Sequence, residues 1–195
     1  YPELGFKEMD EVVEKIVHSN DKKTPCSYCG VFRRQGINHL AERVGADVIA
    51  LGHNLDDMAQ TIMMNMQNGD LERTLRLAPH TSTPLEGMAP RIVPLRWVPE
   101  QEVHLYAIHK KLPIHHEECP HGEGALRFRH RDTIAKMEED VPGTRHGLLR
   151  MADDVKKLHA SSGVQRKTIP INCPECGQMC SGTLCKACEM KKLME

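Results

Sequence analysis

Two thiols three residues apart, Cys26 and Cys29, lie in the run Pro25-Cys26-Ser27-Tyr28-Cys29-Gly30-Val31-Phe32-Arg33-Arg34, with two guanidinium groups one helical turn further on. At the mouth of a helix, backbone N–H groups and the macrodipole favour thiolate over thiol. A third cysteine, Cys119, stands isolated in Glu117-Glu118-Cys119-Pro120-His121. Between these, Leu51-Gly52-His53-Asn54-Leu55-Asp56-Asp57 reads as a strand end turning into a helix with paired carboxylates. Thiolates, a polar turn and nearby cations are the parts of a site for sulfur or metal chemistry. They are far apart in the chain, so the fold must bring them together.

The elements that would do so follow from hydrophobic spacing. Phe6, Met9, Val12, Val13, Ile16 and Val17 recur at helical intervals and predict a helix over 6–18. A second is predicted over 28–45, with Val31, Ile37, Leu40, Ala41 and Val44 inward and Gly45 as C-cap. Residues 47–52 are aliphatic without alternation, the pattern of a buried parallel strand. Asn54, Asp56 and Asp57 can cap the helix that follows, to about residue 68. Five prolines make 77–99 extended or looped, with an edge strand at 91–95; helices are predicted over 100–112, 124–139 and 143–160. Helix, strand, helix in this order indicates a three-layer α/β sheet, and Ser161-Ser162-Gly163 marks a hinge. The domain reading is 1–163 for the α/β part and 164–195 for a cysteine-rich module.

Hydrophobic residues make up 39% of the 195 and aromatics only 4%, so the core must be aliphatic and methionine-filled. A net charge of −1 argues against a tail-type nucleic-acid binder, while leaving room for a local RNA surface. No apolar run has membrane-spanning length and no signal-peptide pattern is present, so no membrane partner is expected. CxxC pairs without a secretion signal point to metal ligation in a reducing compartment, the cytoplasm by default. Tyr1-Pro2-Glu3-Leu4-Gly5 lacks an initiator methionine, and the chain is expected to continue something upstream.

Cys173-Pro174-Glu175-Cys176 and Cys185-Lys186-Ala187-Cys188 are separated by eight residues, a CxxC-x8-CxxC pattern. Each turn aims two thiolates at one ion and the two turns complete a closed tetrahedral zinc site, a small four-cysteine zinc ribbon. Gly177 and Gly182 are placed to supply the tight turns, and Cys180 is a spare thiol between the pairs. The basic flanks Lys156, Lys157, Arg166, Lys167, Lys186, Lys191 and Lys192 suit either a phosphate backbone or a solvated face.

Spacing alone leaves Cys26, Cys29 and Cys119 three readings: a second zinc site completed by a histidine, a redox disulfide with a bystander, or a three-thiolate iron–sulfur site with one iron open. Asp57 is either a base, a substrate-orienting group or a water-mediated magnesium ligand, or simply a first-turn carboxylate favoured by the dipole. Gly52 permits close backbone approach at a strand end, where ligands of open parallel sheets collect. Arg33 and Arg34 are solvated or bind phosphate. The alternate arginines of Ala125-Leu126-Arg127-Phe128-Arg129-His130-Arg131 form either a basic RNA-facing surface or an ion-pair network.

With these residues assembled, the chain resembles the tRNA 2-thiouridine synthetases of the archaeal and eukaryotic cytoplasm, the NcsA/TtuA group related to TtcA. The blocks that carry the likeness are CSYCGVFRRQGIN at 26–38, LGHNLDDMAQTIMMNMQNGD at 51–70, EECP at 117–120 and the C-terminal CPECG and CKAC. The resemblance implies an α/β fold of the ATP pyrophosphatase (adenine nucleotide alpha hydrolase-like) type, a parallel sheet with helices on both faces. It implies an ATP-dependent tRNA-uridine 2-sulfurtransferase that adenylates the uracil C2 oxygen before sulfur displaces AMP, with the wobble uridine as target. Cys26, Cys29 and Cys119 match the family's 4Fe-4S cysteines, Asp57 and Arg33 its positions beside the uridine, and Gly52, His53 and Asn54 its nucleotide turn. ATP with Mg, zinc, tRNA, a sulfur donor (sulfide or a ubiquitin-like thiocarboxylate carrier) and a homodimer are implied with it. One departure is plain: no SGGKDS-type phosphate loop and no preceding zinc finger occur in these 195 residues. The rival expectation is a non-catalytic zinc-ribbon RNA-binding or scaffold protein; a cluster-free cysteine-persulfide carrier is a third.

Overall fold

The computed structural model describes residues 2–18, 23–79, 89–115, 117–122, 125–163, 171–180 and 182–194. A short 3-10 turn at Pro2–Leu4 leads to α1 (Met9–Val17) and α2 (Pro25–Arg43). β1 (Ile49–Ala50), α3 (Leu55–Gln67), α4 (Leu71–Leu75), β2 (Arg91–Ile92), α5 (Glu100–His109), α6 (Leu126–Asp140) and α7 (Thr144–Ser161) follow. β3 (Ile171–Asn172), β4 (Met179–Cys180) and α8 (Lys186–Lys192) close the chain. β1 and β2 run parallel, Ile49 opposite Arg91 and Ala50 opposite Ile92. β3 and β4 form an antiparallel pair.

Two cores hold these elements. In one, Leu55, Met58 and Ile62 of α3 meet Leu149 and Ala152 of α7 and Val93 beyond β2. Ion pairs tie its rim: Arg96 donates to Asp153 at 2.7 Å and Arg145 to Asp56 at 2.7 Å. Glu138 accepts from the backbone of Gly143 and Arg145, and these bonds with the Arg145 charge outweigh burial and lower its pKa. In the other, Phe6, Val12, Tyr28 and Phe32 pack against Cys173, Cys185, Cys188, Met190 and Met194. The Phe6 and Phe32 rings stack at 4.3 Å between centroids, so three of the few aromatics are concentrated here. The cysteine module therefore shares a core with α1 and α2.

Several local expectations shift. α2 begins at Pro25, a good first helical residue because its missing N–H would be unpaired there anyway. It buries Tyr28, Phe32, Gly36 and Ala41, whereas Leu40 and Val44 are exposed; the aromatic pair sets the inward face. Val17, expected inward, is 72% exposed at the end of α1. Gly45 has φ +63°, left-handed backbone that suits a residue without Cβ just past a helix end. The helix expected to reach residue 112 stops at His109, and among the described residues α5 has none that is buried. Gly177 takes positive φ as expected of a tight turn.

Candidate functional site

The polar turn after β1 is built by its own side chains. Asn54 Oδ1 accepts from the Asp57 backbone N–H at 3.0 Å, and Asp57 Oδ2 accepts from the Asn54 N–H at 3.2 Å. This reciprocal capping box starts α3 and fixes both side chains. Asp57 is more than a cap, because its other oxygen, Oδ1, accepts from Arg127 Nη1 at 3.0 Å. Arg127 also donates to Gln60 Oε1 at 3.1 Å and Thr61 Oγ1 at 3.2 Å, so α6 grips one face of α3. Asp56 turns the other way: besides Arg145, it accepts from the Glu100 N–H at 2.7 Å, capping α5. Its part is structural. A methyl group at Gly52 would project into open space, leaving the strand end uncovered by the described residues.

His53 stands half-buried beside this carboxylate. Burial lowers its pKa, Arg33 and Arg127 lower it further, and Asp57 opposes them, so the ring is neutral near pH 7. The same influences place Arg33, His53, Asp57 and Arg127 in one electrostatic neighbourhood. On α2, Cys26, Cys29 and Arg33 follow at i, i+3 and i+7, a single stripe of the helix. Cys26, Cys29 and Cys119 are all exposed, and none of their sulfurs makes a hydrogen bond among the described residues. Cys119 sits two residues before His121, whose Nε2 pairs with Asp10 of α1 at 2.7 Å. Its loop is thereby pinned to the helix that packs on α2.

The tail sulfurs are arranged differently. Cys173, Cys176, Cys185 and Cys188 lie within 4.8 Å of one another and could hold a metal ion. The Cys185 N–H donates to Cys173 Sγ at 3.4 Å and the Cys188 N–H to Cys185 Sγ at 3.3 Å. Burial pushes the Cys185 thiol up to about 11 and that of Cys188 up too. At Cys173 burial is outweighed by N–H groups of Cys185, Cys176 and Glu175, which bring it down to about 6. Cys180 stays outside the group, its thiol 3.1 Å from the Gly182 carbonyl.

The basic flank expected around this module is engaged elsewhere. Lys156 bonds the Leu77 carbonyl in the α3–α7 core. Lys191 donates to the Leu4 carbonyl at 2.9 Å and sits over the Phe6 ring. Lys186 pairs with Glu189, Lys192 with Glu175 and Lys157 with Asp154. Arg166 and Lys167 lie outside the described residues. The run of alternate arginines is divided as well: Arg127 turns to α3 while Arg131 stacks over Phe128. Sequence reasoning missed Arg127 as the partner of Asp57, and 70 residues separate the two with no pattern to link them.

These features define an α/β chain with one cluster of four cysteines, a clamped carboxylate at a strand end, and three exposed cysteines, Cys26, Cys29 and Cys119, whose sulfurs are not gathered into a metal-ligating group among the described residues. No family model matches it. The tRNA 2-thiolation protein NcsA of Haloferax volcanii is 38% identical over 99% of this chain and 61% of its own length. A probable sulfurtransferase of Methanocaldococcus jannaschii is 36% identical over 95% of the chain and 52% of its own. The cytoplasmic tRNA 2-thiolation protein 1 of Chlamydomonas reinhardtii is 36% identical over 96% and 51%. A solved structure of the U34-tRNA thiolase NcsA from Methanococcus maripaludis with its 4Fe-4S cluster superposes with a TM-score of 0.73. It is 31% identical and covers 88% of this chain and 53% of that one. The chain belongs to the tRNA 2-thiolation protein family. It spans about half to three-fifths of the length of the curated relatives it matches.

Proposed function

We propose that the protein serves ATP-dependent 2-thiolation of tRNA uridine, at the wobble position that the name of one relative specifies. The observation that carries this reading is the stripe Cys26–Cys29–Arg33, which runs along α2 towards the neighbourhood of His53 and the clamped Asp57. In the reaction, the uracil C2 oxygen attacks the ATP α-phosphorus and pyrophosphate leaves. A sulfur nucleophile then forms the C2–S bond as the C2–O bond breaks and AMP departs. Asp57, positioned by Arg127, orients the base or accepts its proton. Neutral His53, with Gly52 and Asn54, lines the nucleotide turn, and Arg33 offsets negative charge developing at the reacting oxygen.

Cys26, Cys29 and Cys119 would hold a 4Fe-4S cluster, whose open iron would bind and deliver sulfide. Three exposed thiols free of hydrogen bonds among the described residues suit that donor set. The four tail sulfurs suit a structural zinc, since four cysteines within 4.8 Å of one another, three of them buried, match a closed four-thiolate donor set. The surrounding fold is read as the ATP pyrophosphatase-type sheet with helices on both faces. The phosphate loop for ATP and Mg would be supplied by a segment outside the motifs present in this chain. Sulfide or a ubiquitin-like thiocarboxylate is the donor, a homodimer the working form and the cytoplasm the compartment, as in the names of eukaryotic relatives.

The test is nucleoside mass spectrometry after anaerobic reconstitution with iron and sulfide, given tRNA transcript, ATP and Mg, with and without a polypeptide carrying the relatives' unmatched segment. Formation of 2-thiouridine that Cys26→Ser, Cys29→Ser and Cys119→Ser each abolish is the expected result. A colourless, zinc-only protein indifferent to Cys119→Ala would instead be an RNA-binding or scaffold module. Persulfide trapped on Cys26 or Cys29 without iron would make it a persulfide carrier.

A further inference from the structure

One bond ties the tail cysteines to the helix that carries Cys26 and Cys29. Gln35 Nε2 of α2 donates to Cys176 Sγ at 3.5 Å, across 141 residues of chain. The sulfurs of Cys173 and Cys185 take N–H bonds from the module's own backbone. Cys176, the one exposed cysteine of the four, takes its bond from a different element. Gln35 belongs to a stripe: Tyr28, Phe32, Gln35 and Glu42 stand at i, i+4, i+7 and i+14 and share one face of α2. Tyr28 and Phe32 pack with Cys173, Cys185 and Cys188, and Glu42 accepts from Gln178 Nε2 at 2.9 Å. The tail thus lies along most of α2. Tyr28, fully buried, stands between Cys26 and Cys29 in the chain, so its anchorage fixes the turn that carries both thiols. No side chain caps that turn at Thr24, which leaves packing to keep it from fraying.

We propose that Gln35 is an outer-sphere donor to the tail metal, and that through this stripe a loaded tail holds the first turn of α2, with Cys26 and Cys29, in place. This rests on the tail-metal part of the reading above and not on thiolation. A neutral thiol is a weak acceptor, and metal binding removes its proton to leave an anionic sulfur. The amide bond to Cys176 then becomes charge-assisted and about twice as strong. A thiolate can only accept, so of the two ends of the Gln35 amide it selects the NH2. Because the donor sits on α2, loading the tail tightens the contact between module and helix. By the same coupling, a held Gln35 raises metal affinity. The backbone donors to Cys173 and Cys185 have no such reach, since they begin and end within the module. Gln35 is a positioning residue, acting on Cys26 and Cys29 only through the helix.

Cobalt(II) is the probe, bound anaerobically to the full chain carrying Cys26→Ser, Cys29→Ser and Cys119→Ser, so that the tail supplies the thiolates. Gln35→Leu, similar in size but without a donor, should weaken cobalt affinity by about tenfold to a hundredfold. It should also move the sulfur-to-cobalt charge-transfer band to longer wavelength, because an unbonded thiolate gives up its electrons more easily; a packing role alone would leave the band in place. Gln35→Glu, which sets a carboxylate against the thiolates, should weaken affinity further. In the same background loaded with zinc, hydrogen exchange of amides 25–34 should speed up about tenfold in Gln35→Leu, while amides 144–161 of α7 keep their rate. Melting curves establish that each variant is folded, and half-buried Gln35 can be changed without opening a core. Unchanged cobalt affinity and band in folded Gln35→Leu overturns the proposal. So does weaker affinity without faster exchange over 25–34, or equal acceleration in α7. A tail that binds no cobalt even with Gln35 present would sink the zinc reading above and this proposal with it, whereas bound cobalt indifferent to Gln35 sinks this proposal alone. Absence of 2-thiouridine in the assay above, with the expected cobalt and exchange results, would sink the thiolation reading and support this one.

Discussion

Three of the four tail cysteines and the trio Cys26, Cys29 and Cys119 are chemically alike and sit in opposite surroundings, while the fourth tail cysteine, Cys176, is exposed. In the tail, Cys173, Cys185 and Cys188 are buried in a core with Phe6, Val12 and Tyr28, and backbone N–H groups point at the sulfurs of Cys173 and Cys185. On α2 and the loop after α5, the sulfurs face solvent without hydrogen bonds among the described residues. A thiolate set that shares a core ties metal binding to folding, whereas an exposed set can change occupancy without moving the core. Under the proposed function, the difference suits the tail cysteines to stability and Cys26, Cys29 and Cys119 to chemistry.

The sharpest way to break this contrast is to exchange one cysteine in each set. Cys188→Ser, or chelation of the tail, should cost an amount comparable with a small domain's whole stability, about 5–15 kcal/mol, and abolish cooperative melting. Cys26→Ser should leave stability within about 0.5 kcal/mol while eliminating 2-thiouridine formation. Equal loss of folding in both variants would erase the distinction. A metal-independent calibration comes from Arg145→Ala in the α3–α7 core. Arg145 and Asp56 are only 18% and 16% exposed, so leaving Asp56 without its partner should cost about 3–5 kcal/mol in denaturant unfolding.

Smaller effects sharpen the open side. Asp57→Ala should abolish thiolation with RNA affinity intact, and Asn54→Ala should cost about 1 kcal/mol through the lost cap. A loss of RNA affinity in Asp57→Ala would contradict the role given to that carboxylate. The smallest effect is a shift in titration. His53 should titrate below its ordinary value of 6.5 by NMR, because burial and then Arg33 and Arg127 disfavour its charged form. Its contribution to stability is complete above the unfolded value and is lost as pH falls through the lowered folded one. Arg33→Ala should move the His53 pKa up and Asp57→Asn should move it down. Failure of both would remove Arg33 and Asp57 from its neighbourhood.

Much of this contrast was legible before any coordinates. The CxxC-x8-CxxC spacing points to the tail cluster because each knuckle is local, and the Asn54–Asp57 capping box is written within four residues. The parallel pairing of 49–50 with 91–92 agrees with the expected parallel strand, but only two residues pair and, against the expected burial, Ile49 is half-buried and Ala50 and Val48 are exposed. Other features were hidden. The inward face of α2 is one of them: helical spacing points Leu40 and Val44 inward, whereas the structure buries Tyr28 and Phe32, with Phe32 stacked on Phe6, and leaves Leu40 and Val44 exposed. The tail's lysines look like an RNA surface in sequence, yet Lys191 bonds the Leu4 carbonyl across 187 residues. Charge composition counts cations and says nothing of their partners.

What the sequence determined by itself were the properties set by near neighbours: helix starts, caps, metal-ligand spacing and the motif blocks of the family. Tertiary structure alone decided which carboxylate faces a guanidinium, which lysines are occupied and which thiols are shielded from water. The physical reason is range. Capping and CxxC geometry are fixed within one or two turns of backbone, while Asp57–Arg127, Asp56–Arg145 and Asn38–Arg91 join segments that only packing can bring within a hydrogen bond.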